Sequence, residues 1–441
     1  MRIALLPRLL LAAVLAAAFA PSAGAEDSHP AFTPDTAAQT ARALARYQQI
    51  AADGGWPALP ANAAGLKPGA KGPAVAKLKE RLAITGDLDE SESTGDDFDE
   101  ATRQALLRFQ ERHGLSLTGT IGRLTFAALT VPVETRINQL NMTLARLQYD
   151  RFPFAQRYVV VNIPGAAAEA VENGTVVRRF TAVVGRKDRQ SPVVAAQIKS
   201  VKMLPDWTVP ETLIREDIMP KMRQDPGFLA ASHMRVLSWK GVELDPATID
   251  WSGASPITYM IRQDPGPDNS LGFLKLDMPN VHAVYMHDTP HRELFRNDVR
   301  FNSSGCTRIA GVQDLAAWLM QGTEWTGQAI QAQIDSGEPK TVPLPKPVPV
   351  AWVYFTAWGT PDGLAQFRDD VYGLDTPEGV AQSRIYGPPK TAPDAGTPAA
   401  TGPKPPAAGP QAPVAAEPKP AAEPRSAAAA PKRPVTLAET Q

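Results

Sequence analysis

Apolar residues recur at helical spacing through the first third of the chain and at strand spacing through most of the remaining length. Residues 36–53 place Ala, Leu, Tyr and Ile at helix-compatible intervals and stop at Gly54-Gly55, which predicts a helix within an N-terminal helical segment, 26–64. In the block 65–131, Val75, Leu78 and Leu82 mark one helix face. Asp99 caps a second helix whose buried stripe is Ala105, Leu106 and Phe109 and which ends at His113-Gly114. Leu124, Phe126 and Leu129 predict a third, shorter helix. A connecting helix over 135–149, within 132–156, buries Ile137, Leu140, Leu144 and Leu147.

From residue 157 the period changes. Short β-branched runs at 158–163, 175–184, 274–276, 281–287 and 350–358 read as strands, and Gly359 to Gly363 reads as the turn of a hairpin into 364–367. Only two helices are predicted here, at 311–320 and 327–334. The segment 205–257 is too long for a strand connection and carries Trp207, Trp239 and Trp251, so it is expected to form an inserted cap over a cleft or to complete the core. The expected fold class is multidomain α+β: a small three-helix domain, then a β-rich sandwich-like domain over 157–375 with that insertion.

The two ends differ from the middle. A basic start, an apolar stretch at 9–20 and Ala23-Gly24-Ala25 read as a secretory signal peptide, 1–25, cut after Ala25. Residues 388–441 are almost entirely Pro, Ala, Gly, Lys, Glu and Thr, a composition that cannot bury enough apolar surface to offset ordering, and are expected to be a disordered tail. With 45 basic against 46 acidic side chains, net charge −1, no basic stripe exists for nucleic acid to bind.

Cys306 is the one cysteine in 441 residues. In an exported chain a lone thiol has no intramolecular disulfide partner. Paired with a histidine distant in sequence, it suits nucleophilic catalysis: His287 takes the proton and the thiolate attacks a carbonyl. Alternation along 281–287 sets Val281, Ala283, Tyr285 and His287 on one face, with His282, Val284 and Met286 on the other. His282 therefore reads as structural, and Tyr285 either lines the site or packs in the core. Gly305 leaves room for close backbone approach, and the N–H groups of Gly305 and Cys306 are the expected oxyanion hole. Arg308 could hold a substrate carboxylate or brace the loop, and Ser304 completes the substrate-binding set. His291 does not make a metal site with His287, because Pro290 forbids the helix that would bring the two together. No metal and no cofactor are expected.

The run Leu66-x-Pro68-Gly69-x-x-Gly72, Asp99-x-x-Thr102-x-x-Ala105, Phe109-Gln110 and Gly119-x-Ile121-Gly122-x-x-Thr125 resembles the small peptidoglycan-binding domain attached to many cell-wall enzymes. It departs from that pattern in an acidic insertion, 87–97, which lengthens a loop. The stretch Tyr285-Met286-His287-Asp288-Thr289-Pro290 with Ser303-Ser304-Gly305-Cys306-Thr307-Arg308 is similar to the catalytic signature of the L,D-transpeptidases. Ser304 stands where many members of that family have histidine. The resemblance implies a periplasmic enzyme acting on peptidoglycan stem peptides and glycan strands. Cys306 would attack the carbonyl between meso-diaminopimelate and D-Ala, His287 would protonate the departing D-Ala, and a second diaminopimelate amine would resolve the thioester as a 3→3 cross-link. Water as acceptor would make it an L,D-carboxypeptidase, and a protein amine would make it an anchoring enzyme for envelope proteins, with the tail as a tether. A non-catalytic peptidoglycan-binding scaffold is the alternative of a different class.

Overall fold

A computed structural model describes residues 28–148 and 150–385; the expected signal peptide, the C-terminal tail and Tyr149 lie outside the described residues. Helices α2 (Pro73–Ile84), α3 (Glu100–Arg112) and α4 (Arg123–Leu129) bury Val75, Leu78, Leu82, Leu106, Phe109 and Leu129 in one cluster. Asp99 accepts from the Thr102 N–H at 2.8 Å, satisfying one of the orphan donors at the start of α3. The acidic insertion begins with an anchor: Asp87 is buried and ion-paired with Arg112 at 2.5 Å, and its carbonyl accepts from Arg108. Arg112 also donates to the Ala365 carbonyl, tying this block to the hairpin Ala357–Gly359/Ala365–Phe367.

The helices flanking that block pack together. α1 (Thr36–Ala52) and α5 (Val133–Leu147) close over the hairpin, with Ala43, Tyr47, Leu140 and Phe367 in a shared core. Gly359 lies so close to α1 that a Cβ there would stand 2.2 Å from the Gln39 carbonyl oxygen. The two segments that read as separate lead-in and connector are thus one helical layer, assembled by a hairpin more than 200 residues downstream.

The β-rich region is one nine-stranded sheet. Starting from Phe301–Ser303, it runs through β3 (Thr175–Gly185), Thr307–Ile309, Met286–His287, Leu274–Asp277, β4 (Val194–Met203), Lys340–Val353, β1 (Arg157–Asn162) and β2 (Ala167–Glu172). Because β2 also pairs with β3, the sandwich layers belong to a sheet that closes on itself. Its interior holds Val159, Val161, Leu276, Met286 and Trp352 with the helix Val312–Leu319, while Tyr158, Val160, Ala351 and Val353 pack outward against Phe32 and Phe152. Burial on both faces explains the unbroken apolar run of β1. Lys340–Val353 carries prolines at 343, 345, 347 and 349; β1 joins it only from Val350 onward, so the missing N–H donors fall where one edge is open.

Several elements depart from the expected pattern. β2 reads AAEAVE, a helical composition, yet it is a strand because the Asn173-Gly174 turn, both residues at positive φ, folds it back on β3 while β1 pairs its other edge. β4 alternates too weakly to be read as a strand and is held by neighbours on both sides. Of the strand expected over 281–287 only Met286–His287 forms. The Asn280 side chain bonds the N–H groups of His282 and Val284 and the Val284 carbonyl, holding a turn with Ala283 at φ 52°. His282 is accordingly exposed on that turn and has no place in a strand face. The insertion is a subdomain with its own core (Val209, Ile214, Ile218, Met222, Val236, Ile261) and a four-stranded sheet. That sheet includes Tyr259–Gln263, so the cap extends past the expected limit at 257. Among the described residues no helix is long and apolar enough to cross a membrane.

Candidate active site

Strand register assembles the site. Met286 pairs with Thr307 and His287 with Arg308 in a parallel ladder, and the Thr307 N–H donates to the Tyr285 carbonyl at 3.1 Å. Register partners in adjacent strands share a face, so Tyr285, His287, Cys306 and Arg308 lie on one side, with Met286 buried on the other. On the opposite flank His287 pairs with Lys275, and Lys275 with Lys202, which extends the same face with two more cations. The alternation of Tyr285 and His287 survives the loss of the longer strand, and their rings meet edge to face at 5.6 Å.

His287 is 5% exposed, and its Nδ1 lies 2.5 Å from the Asp288 carbonyl oxygen. That carbonyl can only accept, so Nδ1 carries the proton and Nε2 presents a lone pair. Burial, then the Arg308 cation, then Lys275, push the imidazole down to about 3 against the favourable Asp288 bond. Asp288 is itself fixed: its N–H donates to the Leu274 carbonyl and its Oδ2 accepts from the Phe273 N–H at 3.1 Å. The sequence offered no side chain to orient His287, and the orienting group is a backbone carbonyl, which leaves no residue-type signal.

Burial pushes the Cys306 thiol up, while hydrogen bonds from Tyr285 and the cations Lys275 and Arg308 oppose that rise. The loop around it is pinned through its carbonyls. Ser191 Oγ donates to the Gly305 carbonyl at 2.7 Å and accepts from the Gly185 N–H at 2.9 Å, and Ser303 Oγ donates to the Cys306 carbonyl at 2.5 Å. Tyr372 donates to the Gly185 carbonyl and receives the Ser191 N–H, bracing the same knot from behind. The geometry corrects two expectations for Gly305. Its N–H is engaged by Ser303 Oγ at 3.2 Å, so only Cys306 offers an N–H without a partner among the described residues. The need for glycine comes from φ +112°, since an added Cβ would meet nothing nearer than 3.5 Å.

With this geometry in place, residues 156–334 match the family profile of the L,D-transpeptidase catalytic domain, a span that contains His287 and Cys306. The chain carries an L,D-transpeptidase domain. Residues 71–129 match the profile of a peptidoglycan-binding domain. A Haemophilus influenzae protein named "Putative L,D-transpeptidase" is 33% identical over 251 residues, which cover 56% of this chain and 50% of that protein. The chain thus spans about half the length of the curated relative it matches. Among solved structures, an L,D-transpeptidase from Stackebrandtia nassauensis is 12% identical, covering 67% of this chain and 96% of its own, with a TM-score of 0.26. One from Xylanimonas cellulosilytica is 17% identical, covering 67% and 99%, with a TM-score of 0.21. Scores that low add nothing to the family match.

Around the Cys306 thiol the remaining side chains divide. Tyr285 is drawn into the site: it shares the sheet face of Cys306, and burial, with the neighbouring thiol, pushes its pKa far up. Lys275 sits 4.3 Å over the Tyr285 ring. Arg308 is half-buried, and its Nε has no partner among the described residues. Ser304 is exposed and accepts from Arg189 at 3.2 Å. Arg189 went unnoticed in the sequence. It also holds Asp217 with two bonds of 2.7 and 2.8 Å and Glu216 at 2.6 Å, clamping the cap to the loop that bears the thiol. Of the cap tryptophans, Trp251 is a core residue bonded to the Pro246 carbonyl and packed on Tyr259, while Trp239 is 67% exposed. His291 pairs only with Glu293, both exposed, and no cluster of metal-ligating side chains occurs among the described residues.

Proposed function

We propose that this chain is a peptidoglycan L,D-transpeptidase that forms 3→3 cross-links through a Cys306 thioester. The observation that carries the reading is the Cys306–His287 pair on one sheet face inside the matched domain, with Nε2 of a neutral imidazole left free by the Asp288 carbonyl. Cys306 Sγ passes its proton to His287 Nε2 and attacks the carbonyl carbon linking diaminopimelate to D-Ala. The Cys306 N–H meets the oxyanion as it forms. His287 returns the proton to the D-Ala nitrogen, the C–N bond breaks and a thioester remains. A diaminopimelate amine of a second stem then attacks, His287 takes its proton, and collapse of the adduct regenerates the thiol. Lys275 and Arg308 flank the pair, and their charge suits the carboxylates of the donor stem.

Arg189 holds the cap to the loop that bears the thiol, which supports exclusion of water in favour of an amine acceptor. Export to the periplasm is part of the proposal and rests on the pattern of residues 1–25; attachment to envelope proteins rests on the composition of the tail. Incubation with disaccharide-tetrapeptide, with products resolved by mass, tests the reading. A 3→3 dimer that disappears in Cys306→Ala is expected. Tripeptide alone would reassign the protein as a carboxypeptidase, and absence of D-Ala release would reduce it to a binding scaffold.

A further inference from the structure

The Cys306 N–H, the donor left for an oxyanion, belongs to the same peptide unit as the Gly305 carbonyl. That unit is planar and trans, so its C=O and N–H point in opposite directions, and whatever fixes the one aims the other. Here the carbonyl is held by a side chain from another part of the sheet. Ser191 Oγ donates to it at 2.7 Å. Sterics at Gly305 do little to hold the unit: φ is +112°, and an added Cβ would meet nothing nearer than the Gln190 carbonyl oxygen at 3.5 Å. Glycine leaves such a unit freer to turn about its flanking bonds than any other residue would. The hydrogen bond therefore carries the alignment.

The Ser191 hydroxyl is itself fixed. It is buried, and because a carbonyl can only accept and an N–H can only donate, its one proton goes to Gly305 while the Gly185 N–H donates to Oγ at 2.9 Å. The Ser191 backbone is held as well: its N–H donates to Tyr372 Oη at 3.2 Å, and that hydroxyl donates to the Gly185 carbonyl at 2.5 Å. Tyr372 donates its own N–H to Tyr354 Oη at 2.8 Å, and the Tyr354 hydroxyl donates to Asp370 at 2.7 Å. The two tyrosine rings stack at 5.5 Å. Asp370 also accepts the N–H groups of Leu374 and Asp375, and Asp375 pairs with Arg146 of α5 at 2.9 Å. The brace behind Ser191 thus ends in the helical layer. A hydrogen bond to the carbonyl has a second effect: it polarises the amide and strengthens the N–H at its other end as a donor.

We propose that Ser191 is the positioning residue of the oxyanion hole, which by holding the Gly305 carbonyl aims and polarises the Cys306 N–H, with Tyr372 as its brace. The role rests on the cysteine acyl transfer proposed above, and not on which acyl donor or acceptor is used. It is exercised at a distance from the reacting atoms, through one peptide plane.

Two reactions of the full-length chain at Cys306 separate this role from mere upkeep of the loop. In acylation by p-nitrophenyl acetate the Sγ–C bond forms, an electron pair moves onto the ester oxygen, and it returns as nitrophenolate leaves. Alkylation by iodoacetamide displaces iodide directly and develops no oxyanion. Both consume the same thiolate. Ser191→Ala should slow acylation about tenfold, less than the roughly 100- to 1000-fold cost of deleting an oxyanion donor outright. Alkylation should stay within about twofold of wild type, since the thiolate is untouched. Ser191→Thr keeps the hydroxyl and should recover most of the loss. Tyr372→Phe leaves Ser191 Oγ in place without its brace and should slow acylation by a smaller factor; it carries the test if Ser191→Ala does not fold. The Cys306→Ala chain supplies the background from other nucleophiles. Unchanged acylation, or acylation and alkylation falling together, overturns the inference. D-Ala release from disaccharide-tetrapeptide by the wild-type chain is measured alongside. Its absence together with a selective loss of acylation sinks the transpeptidase reading alone, whereas release together with an unselective loss sinks the Ser191 role alone.

Discussion

The resting Cys306–His287 site should hold a neutral thiol and a neutral imidazole, and the single cysteine makes this directly measurable. The imidazole is pushed down to about 3 and the thiol up from its ordinary 9.0. On the imidazole side alone, the drop from 6.5 to about 3 disfavours protonation of His287 by about 5 kcal/mol at ~1.4 kcal/mol per unit, and the raised thiol opposes the transfer further. A thiolate–imidazolium pair is then a minor species of the free enzyme. The assay is the pseudo-first-order rate of iodoacetamide alkylation from pH 5 to 10, read on Cys306 alone. The rate should rise about tenfold per pH unit without a plateau below pH 9. His287→Gln should leave the profile below pH 8 nearly unchanged. A plateau with a midpoint under pH 7, abolished by His287→Gln, would refute the reasoning and establish a preformed ion pair. The same two cations act on both partners: carboxylates that neutralise Arg308 and Lys275 raise the imidazole and the thiol together, which makes His287 a better base and leaves Cys306 a weaker acid.

Three further outcomes are expected. Gly272→Ala, at φ +59° and with its Cβ 2.6 Å from that of Asp288, should cost about 1–3 kcal/mol in thermal unfolding and lower turnover by displacing the carbonyl that orients His287. Arg189→Ala should change global stability by less than about 1 kcal/mol, because Asp217 and Glu216 are partly exposed, yet amide exchange across residues 211–224 should accelerate and tripeptide should grow at the expense of dimer. His287 binds its proton more weakly folded than unfolded, so the stability it supports is present above about pH 6.5 and is lost as pH falls toward 3. That loss is worth about 5 kcal/mol, and an acid titration by denaturant midpoint should show it flattened in His287→Gln.

Much of the fold was legible because it depends on local rules. The three-helix block announces itself through its stripes and through Asp99, whose side chain caps α3 as its position before Thr102 suggests. What failed was strand assignment where the pairing is non-local. β2 has a helical composition and is a strand only because it lies between β1 and β3. Residues 281–284 have a strand's alternation and form a turn because the Asn280 side chain competes for their backbone groups. The cap was bounded short for the same reason, since Tyr259–Gln263 belongs to it through pairing with Met234–Ser238.

By itself the sequence put forward the candidate reactive atoms: one thiol, a histidine that shares a face with Tyr285, a glycine before the thiol, and an arginine two residues beyond it. Residue type carries that information, because few side chains can do nucleophilic chemistry. Tertiary structure alone decided what those atoms are poised to do. It supplied the Asp288 carbonyl that sets the tautomer, the Ser303 hydroxyl that occupies the Gly305 N–H, and the row Lys202, Lys275 and Arg308. It also brought Arg189 across to the cap. These are contacts of backbone or of distant charge, set by strand register and burial, and neither is written in the identity of a single residue.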